Sequence, residues 1–75
     1  MSQQFPSLTT QKLVRFFLRQ GFYEDRQSGS HLTLKHSDGR CVTVPIHTGK
    51  DIGKGLLSKI IKGAGYSVEE FNQLR

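Results

Sequence analysis

The stretch "RQSGSHLTLKHSDGRCVTVP", residues 26–45, decides the fold. Two runs in it alternate apolar and polar residues. Leu32 and Leu34 do so in "SHLTLKH", and Val42 and Val44 do so in "RCVTVP", which Pro45 ends. Alternation at this period marks strands with one buried face. The loop between them sets the register. A two-residue Asp38-Gly39 turn would pair Leu34 with Thr43 and Lys35 with Val42, mixing apolar and polar residues on both faces. A three-residue loop, Ser37-Asp38-Gly39, pairs Leu34 with Val42, Leu32 with Val44, Thr33 with Thr43 and Lys35 with Cys41. Only the second register gives a uniform apolar face, so a type I turn with Gly39 in a left-handed bulge position is expected. His31 then shares the open face with Thr33, Lys35, Cys41 and Thr43, at the end away from the turn. His36 points to the other face, near the turn.

Helices lie on either side of this hairpin. "TTQKLVRFFLRQGF" has a cap at Thr9 or Thr10 and an apolar face of Leu13, Val14, Phe17 and Leu18, with Phe16 beside it. Gly21 can end this helix in the left-handed conformation, with Phe22 folding back on the last turn. "FYEDRQ" reads as a further strand before the hairpin. After "PIHTGKDIGKG" comes a second helix, with Ile52, Leu56, Leu57, Ile60, Ile61 and Ala64 as its apolar stripe and Gly63 and Gly65 at its end. Ser67 and Glu70 form a capping-box pair before a short closing helix, "SVEEFNQL". The expected class is α+β. A three-stranded antiparallel sheet has two helices packed on one face and a short C-terminal helix. Residues 1–8 read as a flexible lead-in to a single domain.

The chain has 75 residues, one cysteine and a formal charge of +5. A chain of this length has a thin core and no room for a deep cofactor pocket. The basic surplus predicts attraction to polyanions. It is spread as +2 over residues 1–26, +1 over 27–49 and +2 over 50–75. No detachable basic tail is present, so the fold has to gather the charge. The lone Cys41 cannot close an internal disulfide, and no signal peptide or membrane-spanning run is visible. A soluble, cytosolic protein with no membrane association is expected.

Three kinds of chemistry can be weighed from the residues alone. "GKDIGKGLL" is not a nucleotide P-loop, because only three residues separate Gly49 from Gly53 and Gly55 replaces the magnesium-binding hydroxyl. Its glycines, with Lys50 or Lys54, still suit a single phosphate at a helix start. The three histidines and Cys41 match no zinc spacing, and His31 and His36 face opposite ways, so no metal or cofactor is expected. His31 can exchange a proton near neutral pH. On RNA it would take the proton from a 2′-hydroxyl or hand one to the leaving 5′-oxygen, while nearby cations stabilise the added charge on phosphorus. Gly29 would allow a phosphate backbone to come close. His47, after Pro45, is a secondary candidate, although a structural hydrogen bond that shapes the strand-to-helix loop is the favoured reading of it.

"GF…R…GSH" followed by "DGR…VTVPIH…GKDIGKGLLSKII…AG" resembles the HicA family of toxins, from about Leu13 to Phe71. Leu56 departs from the family pattern, which often has threonine there. The resemblance implies a fold like a double-stranded-RNA-binding domain, α-β-β-β-α. It implies an endoribonuclease (mRNA interferase) of a toxin–antitoxin system, with the histidine of Gly-Ser-His, here His31, as the catalytic group. It also implies a HicB antitoxin as partner and messenger RNA as substrate. Gly29 and Ser30 would then shape the approach of RNA. Arg26, Lys35, Arg40, Lys50 and Lys54 are the expected phosphate contacts. Two other readings stand beside this one: a non-catalytic RNA-binding module, and a basic domain that docks on an acidic protein.

Overall fold

The three-residue Ser37-Asp38-Gly39 loop is present, and it has the expected hydrogen bonds. Gly39 N–H donates to the His36 carbonyl (3.0 Å), and His36 N–H donates to the Arg40 carbonyl (2.9 Å). Gly39 sits at φ 100°, the left-handed bulge position. The computed structural model describes residues 8–46 and 51–75. In it β1 is Leu8–Thr9, α1 Thr10–Arg19, β2 Tyr23–Ser28, β3 His31–Lys35, β4 Cys41–Pro45, β5 Asp51–Ile52, α2 Lys54–Gly63 and α3 Val68–Leu74. The β3–β4 register pairs Leu32 with Val44, Thr33 with Thr43, Leu34 with Val42 and Lys35 with Cys41, as expected. Leu32, Leu34, Val42 and Val44 are all buried.

The main sheet has the order β2-β3-β4, all antiparallel. With the flanking helices it has the α-β-β-β-α arrangement of a double-stranded-RNA-binding-like domain. Two short strands were not foreseen. β1 pairs with β5, Leu8 opposite Ile52, so residue 8 belongs to a strand; the rest of the expected lead-in, residues 1–7, lies outside the described residues. Thr10 Oγ1 also donates to the Pro45 carbonyl (3.2 Å), tying the start of α1 to the end of β4. Both contacts join distant parts of the chain, and no local periodicity announces them.

Thr9 caps α1, its hydroxyl accepting from Lys12 N–H (3.3 Å). The buried arc of α1 is Thr10, Leu13, Phe16 and Phe17, whereas Leu18, expected inside, is 42% exposed. Aromatic packing draws Phe16 inward: its ring meets Phe71 (4.8 Å), Phe17 (5.3 Å) and Tyr66 (5.4 Å) edge to face. In α2 the buried residues are Leu57, Ile60 and Ile61, with Ala64 just beyond. Leu56 is 44% exposed, and Ile52 is buried from β5, not from the helix. The capping box of α3 is complete, with Ser67 and Glu70 exchanging two hydrogen bonds of 3.0 Å.

Gly21 has a double task. It ends α1 at φ 95°, letting Phe22 N–H reach the Phe17 carbonyl (3.0 Å) and Gly21 N–H the Leu18 carbonyl (3.2 Å). A Cβ there would also lie 2.9 Å from His36 Nε2. His36 packs over this turn, Nε2 lying 3.1 Å from the Gln20 carbonyl and its ring meeting Phe22 edge to face at 5.0 Å. Nδ1 accepts from Asp38 N–H (3.1 Å), which leaves Nε2 to carry the proton donated to Gln20. His36 therefore clamps the hairpin turn to the end of α1. Gly21→Ala should destabilise the domain by roughly 1–3 kcal/mol, from left-handed strain and the clash with His36. In a His36→Ala background the penalty should shrink, as read from denaturation midpoints in a double-mutant cycle. Equal penalties in both backgrounds would contradict the clamp.

Candidate nucleic-acid interface

Strand β2 extends the open face toward His31. Ser28 lies opposite His31, Arg26 opposite Thr33 and Tyr23 opposite Lys35, with a bulge at Asp25 between Glu24 and Arg26. Residues opposite one another share a face. Ser28, Arg26 and Tyr23 thus join His31, Thr33, Lys35, Cys41 and Thr43 on the side away from the core. Every residue of β2 is exposed, so this strand overhangs the core as an edge.

His31 is the first residue of β3, held between Ser28 on one side and Pro45 on the other. The preceding residues form a two-residue turn, Gly29-Ser30. Gly29 has φ 58° and Ser30 is not left-handed, the pattern of a type II′ turn. Gly29 is thus required by the turn, and the space above it is open. Two further bonds pin the segment. Ser30 carbonyl accepts from Ile46 N–H (2.6 Å), and Gly29 carbonyl accepts from Gln27 Nε2 (3.2 Å). The imidazole of His31 is exposed and, among the described residues, has no hydrogen-bond or ion-pair partner. It stands on a fixed strand with its ring nitrogens open to solvent.

The expected cations differ in position and engagement. Arg26, exposed, is two residues along the ladder from His31, about 7 Å. Lys35 is at the far end of β3, about 13 Å away by strand rise, and pairs with Asp25 at 3.5 Å. Lys54 begins α2, after Gly53 as its cap, and is exposed. His47 and Lys50 lie outside the described residues. Among the described residues no group of three His, Cys, Asp or Glu side chains stands together as a metal site.

Arg40 is engaged elsewhere. Its Nε donates to Asp38 Oδ2 (2.7 Å) and its Nη1 to the Ala64 carbonyl at the end of α2 (3.3 Å). The guanidinium lies over the rings of Phe22 (5.1 Å) and Tyr66 (5.3 Å). It joins the hairpin turn to the end of α2, at the opposite end of the sheet from His31. Burial beside the rings works against its charge, but hydrogen bonds to Tyr66 and Asp38 more than offset this and raise its pKa. Asp38 is shifted down, first by the hydrogen bond from Arg40 N–H (3.0 Å), then by the guanidinium. Arg40 is among the phosphate contacts expected from the sequence. The aromatic partners that occupy it come from residues 22 and 66.

These features agree with the comparison with protein families. The model of the HicA toxin of bacterial toxin–antitoxin systems matches residues 10–66. The chain belongs to the HicA toxin family. A search of curated proteins gives no match. As a toxin of such a pair, this HicA protein has an antitoxin as its class of partner. None of the helices is long and apolar enough to cross a membrane among the described residues.

Sequence reading missed Tyr23 and Ser28 on the open face. The orientation of Tyr23 depends on the β2 bulge, which no pattern in "FYEDRQ" announces, and that of Ser28 on the tight Gly29-Ser30 turn. The engagement of Arg40 carries a prediction. Arg40→Ala should destabilise the domain by about 1–3 kcal/mol, through the lost charged hydrogen bonds and ring contacts. Asp38, with its lowered pKa, contributes stability above the ordinary carboxylate range near ~4 and loses it as pH falls through the lowered value. The stability gap between parent and Asp38→Asn should therefore be constant near neutrality and close in acid. Unfolding midpoints across pH check this, and a gap that persists in strong acid would contradict it.

Proposed function

We propose that this HicA toxin is an endoribonuclease that cuts RNA on the open face of its sheet, with His31 as the catalytic residue. The observation that carries the proposal is the placement of His31: exposed, fixed on the first residue of a register-locked strand, beside a turn with open space above Gly29. The family match adds a toxin role, and messenger RNA is the substrate the proposal assigns.

The reaction is transesterification. The 2′-oxygen of the RNA attacks the adjacent phosphorus, the bond from phosphorus to the 5′-oxygen breaks, and a 2′,3′-cyclic phosphate and a 5′-hydroxyl result. One proton leaves the 2′-hydroxyl and one reaches the 5′-oxygen. His31 moves one of them and water the other. The nucleophile belongs to the substrate, so the residues need only position the strand, move a proton and stabilise charge. Arg26 is the nearest cation for the phosphate among the described open-face residues, with Lys35 farther along and Lys54 at the start of α2. Lys50 and His47 remain in the proposal as phosphate contact and secondary candidate, from their sequence positions alone. Gly29 and Ser30 leave room for the backbone. Tyr23, 51% exposed on the same face, offers a ring on which a base can stack. Arg40 is left out because its guanidinium serves the fold. A HicB antitoxin would neutralise the toxin by covering this face.

A non-catalytic RNA-binding module is the second reading. It is favoured by one observation: no described residue orients the His31 ring. End-labelled RNA incubated with antitoxin-free protein in EDTA separates the two. The parent should cut, and His31→Ala should lose about 100-fold or more of the rate while still binding RNA. Binding without cutting by both proteins would favour the module.

A further inference from the structure

Most of the surplus charge lies outside the strands of the main sheet. Between residues 23 and 45, which build the sheet, Glu24, Asp25 and Asp38 cancel Arg26, Lys35 and Arg40. The excess belongs to the segments before and after. Residues 1–22 contain Lys12, Arg15 and Arg19 and no acid at all. At about 100° per residue these three fall within about 60° of one another on α1, in one stripe next to Phe16. All three are exposed, and among the described residues none forms an ion pair.

The structure adds a fourth cation to them. Arg75, after α3, closes a cleft of about 290 Å³ with Lys12, Arg15 and Arg19, over a floor of Leu8 and Phe16. Asn72 Oδ1 accepts from Arg75 Nε (3.0 Å) and orients the guanidinium. The floor forms because Phe16 packs on Phe71, which brings the end of α3 against α1. The cleft is in the helical layer, across the core from His31.

We infer that this cleft is a second, non-catalytic site that holds the phosphate backbone of single-stranded RNA and anchors the substrate while another part of the same strand reaches His31. The inference rests on the RNA-cutting reading above and adds where most of the electrostatic affinity comes from. Lys12 to Arg19 spans about 10 Å along the helix, enough for successive phosphates of one strand. A flexible strand can pass around a domain that is 17 Å across its thinnest axis. A duplex is too stiff to touch both faces. The open sheet face presents little net charge, Arg26 standing beside the Lys35–Asp25 pair, so it can position the reacting phosphate without trapping product.

The test uses His31→Ala protein, which binds without cutting, and a labelled single-stranded RNA. The cleft is altered by Arg15→Gln, Arg19→Gln and Arg75→Gln together, with an unchanged unfolding midpoint showing that the fold survives. Affinity should fall about tenfold or more, and the slope of log K against log salt should become shallower by about 0.7 for each lost contact. In the cutting-competent protein the same changes should raise KM on a long RNA, and the increase should shrink as the RNA is shortened to a dinucleotide. Unchanged affinity and salt slope, while the parent still cuts RNA, would overturn the anchor and leave the nuclease reading intact. Failure of the parent to bind or cut RNA would overturn both. Loss of poly-glutamate binding with RNA affinity unchanged would make the cleft a protein-docking site and overturn the proposal.

Discussion

The β3–β4 register is the constraint on which the rest of the structure depends. One extra residue in the Ser37-Asp38-Gly39 loop, made possible by Gly39 at φ 100°, places Leu32, Leu34, Val42 and Val44 on one face. A slip by one residue would set Leu34 against Thr43 and Lys35 against Val42, mixing apolar and polar residues on both faces so that neither could cover the core with His31 left on the other. The same choice that builds the core therefore exposes the histidine. The core side is then fastened at both ends. His36 and Arg40 lock the turn end onto the termini of α1 and α2, and Thr10 and the β1–β5 pair lock the other end. His31 stands at this second end, on a strand with little freedom to shift.

The division of labour among the polar residues follows from that frame. Two of the three histidines are described, and they have opposite fates because they lie five residues apart around the same strand. His36 is used in packing and hydrogen bonding, while His31 meets solvent. The cations divide in a similar way. Arg40 is held by two aromatic rings, an aspartate and a helix end, and Lys35 by Asp25. Arg26 near the histidine, and the α1 stripe on the other side of the core, are exposed and form no ion pair among the described residues. A charge count alone cannot separate these groups, because it does not register what each side chain touches.

What was legible in the sequence was local. Alternation in "HLTL" and "CVTV", the glycines after α1 and α2 and the Ser67–Glu70 box each rest on contacts a few residues apart, and each appears in the structure. The exposure of Leu18 and Leu56 was not legible, because the depth of Phe16 is set by Phe71, 55 positions later in the chain. The β1–β5 pair, the bulge at Asp25 and the engagement of Arg40 are likewise long-range or irregular. At the candidate site, the face and position of His31 followed from register. The neighbours Ser28 and Arg26 needed the pairing of β2 with β3 to be known, and Tyr23 needed the bulge as well. The acid-free first 22 residues were visible from the start, but the cleft they line exists only where the end of α3 meets α1.

The central claim is that a histidine exposed by strand register drives attack of the RNA's own 2′-oxygen. Analysis of the ends left by the antitoxin-free protein on a defined RNA tests this most directly. The account predicts a 2′,3′-cyclic phosphate on one fragment and a 5′-hydroxyl on the other. A 3′-hydroxyl with a 5′-phosphate would mean that water, not the substrate's 2′-oxygen, attacked the phosphorus, and would contradict it.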